Sequence, residues 1–64
     1  MQLTMKAARI NAGMNQTDAG EAIGVSKTTL GCWERGETYP TLDRYDTMCK
    51  VYGVPFGSII LPKS

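Results

Sequence analysis

The sequence predicts an all-α protein, a compact bundle of four helices followed by a short fifth helical turn. Apolar residues recur at helical spacing in four segments, and a glycine follows each of them. No segment alternates apolar and polar residues over a useful length, so we expect no β-sheet. The 64 residues suffice for one small domain, residues 1–64, and helices with local contacts close such a small core most easily.

The first helix is predicted from about Thr4 to Ala12, and Gly13 stops it. Its apolar positions follow helical spacing: Leu3, Ala7, Ile10 and Met14.

Capping residues bound the next two helices. Asn15 is a good N-cap for the second helix, which we expect to end at Gly24. Ser26 caps the third helix, and Gly36 ends it.

The last part of the chain predicts a fourth helix and one further turn. Thr41 caps the fourth helix, and Gly53 stops it. The apolar stripe of that helix consists of Leu42, Tyr45, Met48, Cys49 and Tyr52. A final apolar cluster predicts the short fifth helix: Phe56, Ile59, Ile60 and Leu61.

Composition excludes several classes of function. Cys32 and Cys49 form no CxxC pair, and the chain has no histidine, so we expect no metal site, no cofactor and no disulfide framework. Cys32 has no histidine to activate it as a nucleophile, and glycine-rich phosphate loops are absent, so we expect no enzyme. The chain shows neither a signal peptide nor a long apolar run, which favours a cytoplasmic protein without membrane contact.

The segment from Gln16 to Gly36 holds the most informative pattern. Small residues, Ala19 and Gly20, stand where two short helices would touch, and Gly24 stands at the turn between them. On the third helix a continuous polar stripe runs beside the core positions Leu30 and Trp33: Lys27, Thr28, Gly31, Cys32 and Arg35. Such a helix can enter a DNA major groove, although a merely solvated face is the common alternative.

Residues 16–35, QTDAGEAIGVSKTTLGCWER, resemble the helix-turn-helix of the phage repressor and Cro family, also called the XRE family. The flanking stretches AARINAGMNQ and YPTLDRYDTMCKVYGV are similar to the first and fourth helices of that family, so the resemblance covers nearly the whole chain. It implies a lambda-repressor-like fold and a sequence-specific regulator of transcription that places its third helix in the major groove of double-stranded DNA.

The resemblance assigns roles residue by residue. The positions that match base-reading residues are Ser26, Lys27, Thr28 and Cys32. Those that match phosphate contacts are Asn15 and Arg35, with Thr38 and Tyr39 as loop candidates. Gln16 matches the residue that touches the backbone and the edge of the site. Cys32 departs from the usual longer polar residue, and its thiol would touch a thymine methyl group or make no contact.

For three features the sequence leaves two interpretations open. Arg9 and Glu34 match an ion pair of the family, or are two separate surface charges. Trp33 belongs to the core, or is a stacking platform for single strands. Tyr39 touches a phosphate or covers its own loop.

The surplus of apolar residues near the end of the chain favours a homodimer. A small domain cannot bury Phe56, Ile59, Ile60 and Leu61 together, although closure within one chain is the alternative. Two copies would bind a pseudo-palindromic operator, and we expect a repressor with no small-molecule ligand.

A net charge of only +1 keeps a second class of function open. That class is a protein-interaction module on the same scaffold, such as an antitoxin or an anti-repressor.

Overall fold

Four helices and two very short strands form the fold of residues 3–62, the part of the chain that this computed structural model describes. In chain order they are β1 (Leu3–Thr4), α1 (Met5–Asn11), α2 (Gln16–Ile23), α3 (Lys27–Arg35), α4 (Leu42–Tyr52) and β2 (Ile59–Ile60). None of these helices has the length and hydrophobicity that a membrane span requires.

The predicted ends of the helices are confirmed by their capping contacts. Each helix begins after a residue whose side-chain oxygen accepts a hydrogen bond from the backbone N–H three residues on: Thr4, Asn15, Ser26 and Thr41. The three later helices end at glycines in the left-handed conformation: Gly24, Gly36 and Gly53.

The predictions of a fifth helix and of no sheet are wrong for the described residues. Instead of a helical turn, β2 pairs in parallel with β1, which places Leu3 opposite Ile59. The hydroxyl of Tyr45 donates a hydrogen bond to the carbonyl of Ile59 at 2.7 Å and fixes the strand against α4. Two-residue strands are too short to show a period of two, so the pairing leaves no local signal in the sequence.

The core lies between all four helices and β2. Its buried apolar members are Met5, Ala8, Ala19, Ile23, Leu30, Trp33, Met48, Cys49, Tyr52 and Ile59. The prediction that Trp33 belongs to the core is confirmed, because only 5% of its surface is exposed.

Three expected positions of apolar side chains are wrong. Ile10 is 56% exposed, because α1 turns Met5, Ala8 and Arg9 inward instead of the face that contains Ile10. Leu42 is 72% exposed at the first position of α4, beyond the core. Ile59 is only 4% exposed, so this side chain closes the core of its own chain and is unavailable to a dimer surface.

Tyr52 carries a buried hydroxyl that has no hydrogen-bond partner among residues 3–62. Burial raises the pKa of Tyr52 to about 12 from an ordinary value of 10.0. Between these values the unfolded chain loses the tyrosine proton while the folded chain keeps it, so stability falls as the pH rises from about 10 to about 12.

Tyr52→Phe is expected to reduce this alkaline loss of stability and to leave the protein as stable as the wild type, or more so, at neutral pH. The phenylalanine has no proton to lose and no unpaired hydroxyl to bury. Urea unfolding at pH 8 and pH 11 measures both effects. Tyr45→Phe serves as the comparison, because Tyr45 donates a hydrogen bond and its removal should lower stability at neutral pH. An equal alkaline loss in Tyr52→Phe and the wild type would refute the assignment.

Candidate nucleic-acid interface

An open depression of about 380 Å³ lies between the start of α2 and the exposed side of α3. Gln16, Lys27, Thr28, Gly31 and Arg35 line it, and we call it the polar depression. The structure therefore brings four residues of the predicted α3 stripe together with the first residue of α2.

Close packing of α2 against α3 forms this surface. A Cβ atom on Gly20 would lie 2.7 Å from the backbone oxygen of Val25, so only glycine permits this approach. Ala19 beside it is fully buried. These are the two small residues that the sequence pattern places at the helix contact.

A buried ion pair supports the polar depression from behind. Arg9 Nε donates to Glu34 Oε2 at 2.8 Å and Arg9 Nη2 donates to Glu34 Oε1 at 3.2 Å, while the two side chains are only 10% and 5% exposed. The hydrogen bond to Glu34 raises the pKa of Arg9 against the opposing effect of burial. Arg9 Nη1 also donates to the carbonyl of Met14 at 3.0 Å, so one side chain joins α1, the following loop and α3.

Gln16 connects this ion pair to the surface. Its amide nitrogen donates to Glu34 Oε1 at 3.1 Å, and both ends of its amide lie within 4 Å of where a Cβ atom on Gly31 would be. The first side chain of α2 is thus held against the middle of α3.

Arg44 is a supporting residue that the sequence reasoning missed. Its Nη1 donates to the carbonyl of Ile23 at 3.0 Å, which satisfies the carbonyl end of α2 just before the turn. Gly24 adopts φ +96° in that turn, and a Cβ atom there would lie 2.8 Å from Arg44 Nη1. No local pattern could reveal this contact, because Arg44 and Ile23 are 21 positions apart.

The remaining candidate residues are not among those that line the polar depression. Asn15 and Ser26 use their side chains as helix caps, to Asp18 at 2.7 Å and to Thr29 at 3.1 Å. Thr38 and Tyr39 are exposed in the loop between α3 and α4 and do not line the depression.

Cys32 is half-buried on the α3 stripe, and its sulfur accepts a hydrogen bond from Arg35 Nη2 at 3.6 Å. Neither Cys32 nor Cys49 forms a disulfide. Within residues 3–62 no group of three or more potential ligand side chains is arranged to hold a metal ion.

The helix-turn-helix family model matches residues 5–59, which include every helix of the fold. The chain belongs to this XRE-type helix-turn-helix family. Its helix pair is α2 and α3, joined through Gly24.

Two curated relatives support the same family. The chain is 33% identical over 52 residues to the cryptic phage CTXphi transcriptional repressor RstR of Vibrio cholerae, across 81% of this chain and 47% of RstR. It is 36% identical over 62 residues to the HTH-type transcriptional regulator SutR of Escherichia coli K12, across 97% of this chain and 35% of SutR. The chain therefore spans less than half the length of either relative. No solved structure matches the chain significantly.

Proposed function

We propose that the chain binds double-stranded DNA as a regulator of transcription and inserts α3 into the major groove. One observation carries the proposal: the exposed side of α3 presents Lys27 and Thr28 beside Gln16 without a bulky apolar side chain. A groove about 12 Å wide admits a helix with such a face, and hydroxyl and ammonium groups can donate to base acceptors.

Three residues of the polar depression and the ion pair behind it have roles in this proposal. Lys27 and Thr28, in the first turn of α3, meet base edges. Gln16 gives one N–H to Glu34 and keeps a second amide N–H for a phosphate. The ion pair of Arg9 and Glu34 fixes the position of α3 relative to α1, so α3 enters the groove in one orientation.

The regulator we propose is a repressor that acts by occupying its operator. RstR is named a transcriptional repressor, and the same role for this chain follows from similarity. With seven Lys and Arg residues against six Asp and Glu residues, one copy has little charge to bind DNA, so two copies on a pseudo-palindromic site would supply the affinity.

The dimer contact we propose uses an apolar patch consisting of Leu42, Phe56, Ile60 and Leu61. These side chains are 72%, 59%, 45% and 38% exposed, and clusters of exposed apolar groups mark interaction surfaces. Leu42, Phe56 and Leu61 line one shallow depression together with Pro40 and Tyr45.

Lys27→Ala is expected to lower the affinity for the preferred duplex by about tenfold and to change affinity for unrelated duplexes much less. Lys27 is exposed and makes no ion pair among residues 3–62, so its removal leaves the fold intact. Fluorescence anisotropy on preferred and scrambled duplexes, at several salt concentrations, gives both affinities.

Lys50→Ala is the matched control. Lys50 lies on α4, is 77% exposed and pairs with Asp46 at 3.1 Å. The Lys50→Ala variant loses the same charge as Lys27→Ala but from a different surface. Its affinity for the preferred duplex should therefore stay close to the wild-type value. Equal losses in both variants would contradict base reading by Lys27.

The apolar patch also favours a second candidate function, a protein-interaction module such as an antitoxin or an anti-repressor. Such a module would bind its partner without DNA and with little dependence on salt. A wild-type chain that binds no duplex at low salt would favour this function over DNA binding.

A further inference from the structure

The side chain of Arg35 is folded back along α3 and makes two hydrogen bonds. Its Nε donates to Glu37 Oε2 at 2.6 Å, and its Nη2 donates to Cys32 Sγ at 3.6 Å. Its Nη1 lies 3.1 Å from where a Cβ atom on Gly31 would be. Since side chains on a helix point towards its N-terminus, the guanidinium group lies over the preceding turn.

Gly31 makes room for this position. A Cβ atom at position 31 would lie 3.1 Å from Arg35 Nη1, which is tighter than an ordinary contact, and at van der Waals distance, 3.7 Å, from Gln16 Nε2. The guanidinium group therefore lies close to the backbone of α3 at Gly31 and lines the polar depression.

The partner Glu37, which like Arg35 is more than half exposed, weakens this guanidinium group as a phosphate ligand. The hydrogen bond from Arg35 lowers the pKa of Glu37, so its carboxylate stays ionised beside the guanidinium group. A phosphate would meet a neutral pair and a carboxylate of like charge. A base edge carries no net charge and does not suffer this repulsion.

The hydrogen-bonding capacity that remains suits a guanine. A guanidinium group has five N–H donors, of which one on Nε and one on Nη2 are occupied here. Both hydrogens of Nη1 and one of Nη2 make no hydrogen bond within residues 3–62, so donors remain on both terminal nitrogens. Two parallel N–H donors match the O6 and N7 acceptors of guanine in the major groove.

We propose that Arg35 reads a guanine through the two terminal nitrogens of its guanidinium group, with Gly31 and Glu37 as positioning residues. This inference rests on the proposed binding of DNA by α3. It replaces the phosphate contact that the resemblance implies for Arg35 with a base contact.

The test compares sequence selection by three proteins: the wild type, Arg35→Lys and Glu37→Ala. Arg35→Lys keeps the positive charge and loses the planar guanidinium group. Glu37→Ala removes a negative charge and the hydrogen-bond acceptor of Arg35 Nε. Each full chain selects duplexes from a random pool, and its affinities are then measured on the best site and on single-base variants. Glu21→Ala controls for the charge, because Glu21 is exposed on α2.

The expected result is a guanine in each half-site that the wild type prefers by about 5- to 150-fold over other bases. Arg35→Lys should lose most of this preference while its salt dependence stays the same. Glu37→Ala should also lose preference for the guanine, yet it should bind unrelated duplexes more tightly than the wild type, as Glu21→Ala does to a smaller extent.

Two results would overturn the inference. If Arg35→Lys retains the full guanine preference, Arg35 does not read that base. If Glu37→Ala tightens binding to all duplexes alike without a change in preference, Glu37 does not position Arg35 for a base contact. A wild type that binds no duplex would instead overturn the proposed function, and the inference would fail with it.

Discussion

Replacing Glu34 with alanine is expected to lower the free energy of unfolding by about 3–5 kcal/mol, because it leaves a buried arginine without its partner. Arg9 is 8% exposed, and its guanidinium group would keep only the carbonyl of Met14 among its three acceptor contacts. Natural domains are stable by about 5–15 kcal/mol, and small ones lie near the low end. The variant should therefore be largely unfolded or close to its unfolding midpoint at 37 °C.

Urea unfolding followed by circular dichroism measures this loss. A double-mutant cycle with Arg9→Met and Glu34→Leu isolates the pair, and the double variant should regain much of the stability because no charge is then left buried. The exposed pair of Arg35 and Glu37 is the matched control, since both of its side chains are more than half exposed. Glu37→Ala should change stability little. Equal losses for Glu34→Ala and Glu37→Ala would show that burial of the pair has no consequence.

A double variant in which serine replaces both Phe56 and Leu61 is expected to bind a duplex with two half-sites about 10²- to 10⁴-fold more weakly than the wild type. The apolar patch would no longer join two copies, so each copy would bind its half-site alone. Binding to a duplex with one half-site should stay near the wild-type value, because neither residue lines the polar depression.

Ile10→Ser is the control for this experiment. Ile10 is 56% exposed on α1 and lies outside the apolar patch, so its replacement removes similar apolar surface elsewhere. Sedimentation velocity reports the oligomeric state of each protein, and circular dichroism reports its fold. A full affinity for the two-half-site duplex in the Phe56→Ser/Leu61→Ser variant would contradict a dimer through this patch.

The helices could be predicted from the sequence because their signals are local. Asn15, Ser26 and Thr41 each accept a hydrogen bond from a residue only three positions away, and Gly24, Gly36 and Gly53 supply the left-handed turns that end helices. The strand pairing could not be predicted, because Leu3 and Ile59 meet only through the tertiary fold.

The inward face of α1 shows how spacing alone can mislead. Leu3, Ala7 and Ile10 follow helical spacing, yet so do Met5 and Ala8 together with the charged Arg9. Hydrophobicity favours the first set as the inward face. The second set faces inward in the structure, because Arg9 forms the buried ion pair with Glu34. A pattern that counts apolar residues cannot anticipate a buried charge.

The candidate site also combines features that helical spacing predicts with features that it does not. The stripe of α3 was visible in the sequence because Lys27, Thr28 and Gly31 repeat at helical spacing. The hydrogen bond from Gln16 to Glu34 and the back-folded position of Arg35 depend on side-chain geometry that spacing does not encode.

The most direct test of the central claim is the selection of bound sequences from a pool of random duplexes by the wild-type chain. Binding through α3 by two copies predicts an enriched inverted repeat whose half-sites lie about 34 Å apart, one turn of the double helix. It also predicts that affinity for this repeat falls steeply as salt rises. A pool that shows no enriched sequence after repeated rounds would contradict the account of α3 as a reader of DNA.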